Sequence, residues 1–587
     1  MTNARNLANR STDFVSVRDF GARGDGVTDD TVAIQAAMTA AAASGATVLF
    51  GGLTYNTTAK LTCNCSIDGQ GGTINGYIES AASGLLWKDI TVVSPQAAYG
   101  IYLHGSVGTR YSDIVLDGVN VTFAAGATPA GSRLGLYPTY IDRLTVRNCH
   151  IQYGIQMISC ANYTVTNNWL DGDAFQNDNE LIHASINSYG IIANNTFTNS
   201  LDNYIDLFSS GDRTIVQGNR FIGCKCKTGA AVEIKVSLTD TSNTSGSGNG
   251  WVEQILIDGN YFGDTRAYAA QPTQIITVYY IDSRASPVFS WADTPRNIVI
   301  SNNIFDGFDA TSHGASYFTP VYLYSSNAVL IEGNIFRKMT LGASSSDMSS
   351  CVWIEKCQDV VVSGNRISMK DGTGVSLHDA CTNITIANNH MLDDLNTSEV
   401  LKYGIRIAKE GSRPGPTVTN SKFIGNTMKG SIGTFRHLIT GSSTMTDCVV
   451  SGNFCYEQAT FEAPSRCVFT GNHFEATSRP DAAIFGAISA ICAHNVLTSN
   501  FVKSPSATPK SGFTIYRMRG STINDNTFYY CTTGLAFAGT NTAGELDYLN
   551  IKDNFSVSQT SANFPNYASM NAADTALLQA SNNQKIT

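Results

Sequence analysis

One short phrase recurs along most of this chain: a small or polar residue, then Asn, then an apolar or aromatic residue within two positions. Copies include Asn167-Asn168-Trp169, Asn194-Asn195-Thr196-Phe197, Gly218-Asn219-Arg220-Phe221, Gly259-Asn260-Tyr261-Phe262, Gly333-Asn334-Ile335-Phe336 and Asp525-Asn526-Thr527-Phe528. From Asn168 to Asn554 the steps run between 19 and 43 residues, and most fall between 24 and 31. A period of that size marks a solenoid, whereas length alone would divide 587 residues into about four globular domains. Each copy follows a short alternating run such as Thr214-Ile215-Val216, Ile298-Val299-Ile300 or Val360-Val361-Val362. Alternation with period two between turn residues predicts strands, and the absence of sustained helical periodicity excludes helical repeats. Asn suits the turn because it tolerates left-handed backbone angles and, repeated in register, can build a ladder of side-chain amides. The expected fold class is all-β, a parallel β-helix whose strands stack about 4.8 Å apart.

An open solenoid end would pair with other chains unless covered. At the N-terminal end, Thr28 is a candidate N-cap, Asp29 and Asp30 place negative charge in the first turn, and Val32 to Met38 continue as a capping α-helix that Gly45 ends. The resulting division is a linker over 1–16, a cap and first coil over 17–50, the β-helix over 51–555, and a C-terminal cap or tail over 556–587, where the turn phrase stops.

Composition removes several function classes. The net charge of −9 supplies no basic field for phosphates, so no nucleic-acid partner is expected. No apolar run approaches a membrane span, so no membrane insertion is expected. The N-terminus is polar and has no apolar signal core, which predicts synthesis in a cytoplasm. Fourteen cysteines are scattered without a Cys-x-x-Cys pair, Cys63/Cys65 and Cys224/Cys226 have strand spacing, and nine histidines show no metal-ligand spacing. Neither a metal site nor a cofactor is expected.

The segment Val17-Arg18-Asp19-Phe20-Gly21-Ala22-Arg23-Gly24-Asp25-Gly26-Val27-Thr28-Asp29-Asp30-Thr31, with Ala33-Ile34-Gln35-Ala36-Ala37 after it, resembles the opening motif of the pectate-lyase-like superfamily. In particular it resembles the β-helical tailspikes and depolymerases of tailed bacteriophages, and residues 6–16 look like the linker that leads into that domain. The Asn-Thr-Asp, Gly-His-Gly and Arg-Ile-Lys signatures of polygalacturonases are missing. The resemblance implies a right-handed β-helix, a homotrimer on a virion tail, and a bacterial surface polysaccharide, capsule or lipopolysaccharide, as partner. With about sixteen residues ahead of the motif, the expectation is that either an upstream attachment domain has been removed or attachment runs through a tail or adaptor protein.

Glycoside hydrolysis needs two carboxylates across the scissile bond, and adjacent β-helix coils bring same-face residues to about that separation. In Tyr204-Ile205-Asp206-Leu207 the alternation turns Asp206 outward, and Asp202 shares its parity. On the next coil, Val232-Glu233-Ile234-Lys235 turns Glu233 and Lys235 outward, beside a Gly/Ser/Thr/Asn-rich insertion at 240–250. On the preceding coil Asp171, Asp173, Asp178, Glu180 and His183 crowd a loop. The expected roles are Glu233 as general acid, Asp206 as base or nucleophile, and Asp202 in support.

Farther along, Tyr279 or Tyr280 with Asp282, then Tyr322 and Tyr324, then Trp353 with Glu355, are read as an outward row on which sugar rings could stack, with His378, Asp379 and Arg406 beyond it. Endo-glycosidic hydrolysis is the leading reading. A polysaccharide lyase, with Lys235, Tyr204 or His183 as base, and a non-catalytic receptor-binding spike remain open beside it.

Overall fold

The structure, a computed structural model, describes residues 13–95, 99–124, 134–172, 180–185, 187–200, 203–208, 212–223, 230–238, 252–263, 273–282, 290–307, 318–340, 349–370, 372–392, 403–407, 417–429, 444–456, 459–461, 463–475, 481–485, 491–505, 509–538, 546, 548–557 and 579–586. The chain divides into two compact units, Met1–Tyr268 with Gln274–Ile298, and Ala269–Thr273 with Val299–Thr587. Each unit is built from coils of a right-handed parallel β-helix.

In the first unit a representative coil runs through the strands Ile191–Ala193, Thr196–Thr198 and Ile205–Phe208. Each strand lies parallel to its counterpart on the coil before and after, so Thr164 pairs with Ile191 and Ile191 with Ile215. Inward residues repeat as well. Phe197, Phe221 and Phe262 stack at 4.7 Å with planes within 10°. In the second unit the strands Asn327–Glu332, Ile335–Thr340 and Ser350–Glu355 are followed in register by Gln358–Ser363, Arg366–Lys370 and Thr373–His378. Phe305 and Phe336 there stack at 4.6 Å.

The recurring phrase divides its labour between two positions. Its first residue carries the left-handed backbone, with φ of 58° at Asn167, 56° at Asn194, 64° at Gly218, 63° at Gly364 and 55° at Asp525. The following Asn is buried and forms the ladder. In the first unit the backbone N–H and Nδ2 of Asn168 both donate to Oδ1 of Asn195 at 2.9 Å, while Nδ2 also donates to the Val146 carbonyl at 3.0 Å. Asn195 and Asn219 repeat the pattern toward Asn260. In the second unit the ladder runs from Asn303 through Asn334, Asn365, Asn389, Asn426, Asn453, Asn472, Asn500 and Asn526 to Asn554. Buried amides are thereby satisfied without water, which removes a desolvation penalty that each would otherwise carry.

At the start of the chain the α-helix is Thr31–Ser44, and Gly45 closes it with φ 71°. Its N-cap is Asp30, not Thr28. Thr28 is engaged earlier, donating through its backbone N–H and hydroxyl to Asp25 at 2.7 and 2.8 Å. Asp30 is buried, and its carboxylate accepts the Arg23 and Gly24 amides at 2.8 and 3.1 Å. Gly24 sits at φ +65°, and a Cβ there would meet the Leu53 Cβ at 2.7 Å. The helix buries Ile34, Ala37, Met38 and Ala41, and the Gln35 amide both donates to and accepts from the Thr62 backbone at 2.9 Å.

At the other end, the expectation that coils stop near Asn554 is corrected. Gln579–Ser581 and Gln584–Ile586 pair with Asn550–Lys552 and Phe555–Val557, and Asn583 accepts from Asn554 Nδ2 at 2.9 Å. The turn phrase does not reveal this coil because Gln584 and Lys585 follow Asn583, with no apolar or aromatic residue within two positions.

Candidate functional site

The cluster of interest lies on the outer face of one sheet of the first unit. Strands Ile155–Ile158, Ile182–Ser185, Ile205–Phe208, Ala230–Leu238 and Thr273–Asp282 put Gln156, His183, Asp206, Glu233 and Thr277 in one register column. Their strand neighbours Ile182, Ala184, Ile205, Leu207, Val232 and Ile234 are fully buried on the opposite, interior face. That alternation fixes the polar column outward, so Asp206 and Glu233 occupy consecutive coils at about 4.8 Å backbone spacing.

Local contacts then orient each group. Asp206 is only 4% exposed; its Oδ2 lies 3.0 Å from His183 Nδ1, and its buried Oδ1 has no hydrogen-bond partner among the described residues. Glu180 approaches the same nitrogen through Oε2 at 3.9 Å. Burial alone would pull the His183 imidazole down. The hydrogen bond and charge of Asp206, then the charges of Glu180 and Glu233, outweigh it and hold the ring above its ordinary value. Asn203, buried at the start of the Asp206 strand, donates its Nδ2 to Glu233 Oε2 at 2.7 Å. Sequence reasoning missed Asn203; a polar residue three positions before an outward acid was the available signal.

Glu180, His183 and Asp206 each offer one ligand atom, and these atoms lie within 4.8 Å of one another. Sequence spacing gave no such grouping, because a loop separates Asp171 from Glu180 and conceals the register. Two carboxylates and an imidazole form a donor set in which a divalent cation could be held.

Other expected residues fall elsewhere. Tyr204 does not line the outer face: it is fully buried, packs on Phe197 and Phe221, and donates its phenol to the Ile222 carbonyl. It precedes the strand at a corner, so the strand's alternation does not extend to it. Tyr279 is half-buried and pairs with Lys235, on the parity of Glu233, whereas Tyr280 is 4% exposed and pairs with Val236 on the interior parity. Asp282 pairs in backbone register with Leu238. Asp202, Asp173, Asp178, the insertion at 240–250 and the side chains of Lys235 and Asp282 lie outside the described residues.

In the second unit Tyr322 pairs with Trp353, and Tyr324 with Glu355. Both tyrosines are half-buried, but Trp353 is 3% exposed and stacks on His378 at 3.6 Å, so it is not an open platform. Its indole N–H donates to Glu355 at 3.0 Å, and the Tyr322 hydroxyl donates to the same oxygen at 3.4 Å. Arg406 and His378 are buried on this face as well. Strand alternation correctly gave the parity of these residues, but it carries no information on what covers the sheet.

Among family models, one described as rhamnogalacturonase A/epimerase, pectate lyase-like matches residues 14–250, a right-handed beta helix region matches 277–454, and the periplasmic copper-binding protein NosD matches 416–572. No curated protein sequence matches the chain significantly. Solved structures similar to it include the A-module of a mannuronan C-5 epimerase from Azotobacter vinelandii, at 17% identity over 75% of this chain and 98% of that one, TM-score 0.37. A tailspike protein of E. coli bacteriophage HK620 is similar at 13% identity over 87% of this chain and 79% of that one, TM-score 0.45. The catalytic unit of an alpha-1,3-glucanase from Streptomyces thermodiastaticus is similar at 14% identity over 75% and 68%, TM-score 0.39. Residues 14–250 thus match a pectate lyase-like family model and residues 277–454 a right-handed beta helix region, in keeping with the right-handed β-helix of the fold.

Proposed function

We propose that this chain is a tailspike-type depolymerase, which binds a bacterial surface polysaccharide and cuts it internally by glycoside hydrolysis. The observation that carries the reading is the Asp206–Glu233 pair on consecutive coils, each carboxylate held by its own partner, His183 and Asn203. Paired carboxylates at about one-coil separation are the minimal apparatus for glycosidic cleavage. Glu233, with Oε2 fixed by the Asn203 amide, gives its proton to the leaving glycosidic oxygen. Asp206, oriented by its contact with His183 Nδ1, either takes a proton from the attacking water or attacks the anomeric carbon. The expected assembly is a homotrimer on a virion tail, attached through a tail or adaptor protein.

Elimination chemistry is less well served. Tyr204 is in the core, and Nδ1 of His183 is already engaged by Asp206 and approached by Glu180. The test is incubation with a panel of capsular polysaccharides and lipopolysaccharides, following new reducing ends and the ultraviolet absorbance of unsaturated uronates in the same samples. Reducing ends without absorbance are expected, falling at least ~100-fold in Glu233→Gln and Asp206→Asn while polysaccharide binding persists. Absorbance would replace hydrolysis with elimination, and tight binding without cleavage would leave a receptor-binding spike.

A further inference from the structure

A different sheet of the first unit carries a second feature that the carboxylate cluster does not use. The strands His150–Gln152, Trp169–Asp171, Thr196–Thr198, Arg220–Ile222 and Tyr261–Gly263 place His150, Trp169, Thr196, Arg220 and Tyr261 in one outward column. Trp169 is 49% exposed, unusual for the largest side chain on a regular strand. His150 covers one face of the indole, with ring centroids 4.3 Å apart and planes within 13°. The opposite face therefore looks along the column toward Thr196, whose short side chain leaves it open. One coil beyond, the exposed Arg220 leans away over the Tyr261 ring, its guanidinium carbon 5.6 Å from the centroid.

The consequence is a slot with an indole floor, a threonine back wall and a guanidinium roof. The strands that carry Trp169 and Arg220 are two coils apart, about 9.6 Å at the strand spacing, and the guanidinium, drawn toward Tyr261, leaves at least that height. A ring stacked on the indole needs ~4 Å below it and a similar distance above. We propose that this slot binds a pyranose ring, giving the chain a saccharide contact separate from Asp206 and Glu233. The chemistry matches: a pyranose has an apolar C–H face for the indole and a rim of hydroxyls for Thr196 and Arg220. The indole N–H is already committed, donating to Thr198 at 2.9 Å, so it is the apolar face of the ring that remains for a ligand. A contact of this kind tethers a long polysaccharide while another stretch lies elsewhere on the same molecule, raising its effective concentration.

The experiment is saturation-transfer NMR on the full chain with glucose, galactose, rhamnose, N-acetylglucosamine and glucuronic acid, each at millimolar concentration. Transfer to at least one pyranose is expected, and part of it is expected to be lost in Trp169→Ala and equally in Thr196→Leu, which fills the slot while the indole stays in place. That part is expected to persist in Asp206→Asn and Glu233→Gln, so loss of the hydrolytic reading would leave it standing. Transfer undiminished in both Trp169→Ala and Thr196→Leu, or no transfer to any of the five, would overturn the proposal.

Discussion

His183 and Asp206 face each other across consecutive coils, Nδ1 to Oδ2 at 3.0 Å, while the other, buried Asp206 oxygen has no hydrogen-bond partner among the described residues. Half of this carboxylate thus depends on one imidazole. Removing a single member of a buried pair costs about 3–5 kcal/mol, more than the pair itself contributes, because the survivor stays desolvated. His183→Ala should therefore lower the midpoint of thermal unfolding, and adding Asp206→Asn to it should recover part of the loss. A double-mutant cycle in which the two changes simply add would show that the pair is not coupled.

Tyr204 separates catalytic from structural tyrosines. Its phenol donates to the Ile222 carbonyl inside the coil. Tyr204→Phe should cost about 1 kcal/mol of stability and leave cleavage rates within a few-fold of wild type. A collapse in turnover with unchanged stability would contradict its interior placement.

The amide ladder makes an equally specific prediction. Oδ1 of Asn365 accepts two hydrogen bonds from Asn334, and its Nδ2 donates to the Ile331 carbonyl and to Asn389 Oδ1. Asn365→Ala strands several buried donors and acceptors and should destabilise the second unit by about 2–4 kcal/mol. Asn365→Asp should be worse, since it replaces a donor aimed at the oxygens of Ile331, Ser363 and Asn389 by a charged acceptor. Denaturant unfolding followed by circular dichroism would rank the two variants.

The N-terminal cap should loosen in acid. Asp25 is held down to about 2 by the Thr28 and Val27 amides and the Thr28 hydroxyl, and Asp29 to about 2 by the Thr31 and Thr58 hydroxyls and the Thr31 amide. Depressed carboxylates contribute stability above their unfolded values near 4, and that contribution is lost as pH falls toward 2. Protection of the Thr28, Thr31 and Thr58 amides, taken relative to their intrinsic exchange rates at each pH, should fall across that window, and Asp25→Asn should flatten the change at Thr28.

Much of this was legible from periodicity. The turn phrase gave the coils, and alternation within Ile205–Leu207 and Val232–Ile234 gave the outward parity of Asp206 and Glu233, because period two admits only two faces. It failed wherever the chain left a strand. Tyr204 stands at a corner, where parity has no meaning, and Tyr280 lies beyond a long insertion that breaks the count from turn to turn. The approach of Glu180 to His183 depends on a loop whose path no short-range pattern encodes. Trp353 sits on the expected parity, yet its burial depends on neighbours distant in sequence. Thr28 and Asp30 both suit an N-cap by residue type; the sequence does not show that Thr28 is taken up by Asp25 or that the Asp30 carboxylate turns to the Arg23 and Gly24 amides.

The ladder also has a direction. In the second unit each asparagine from Asn303 to Asn554 donates forward, from both nitrogens, to the oxygen of the next, so each of these coils presents its successor with the same pair of waiting donors. Excising a whole period, for instance residues 426–452, would seat Asn453 where Asn426 had been and leave Asn389 with an equivalent acceptor. A chain built this way can lose or duplicate coils without redesigning any junction, which lets the reach of its surface change by recombination while the chemistry of each join stays constant.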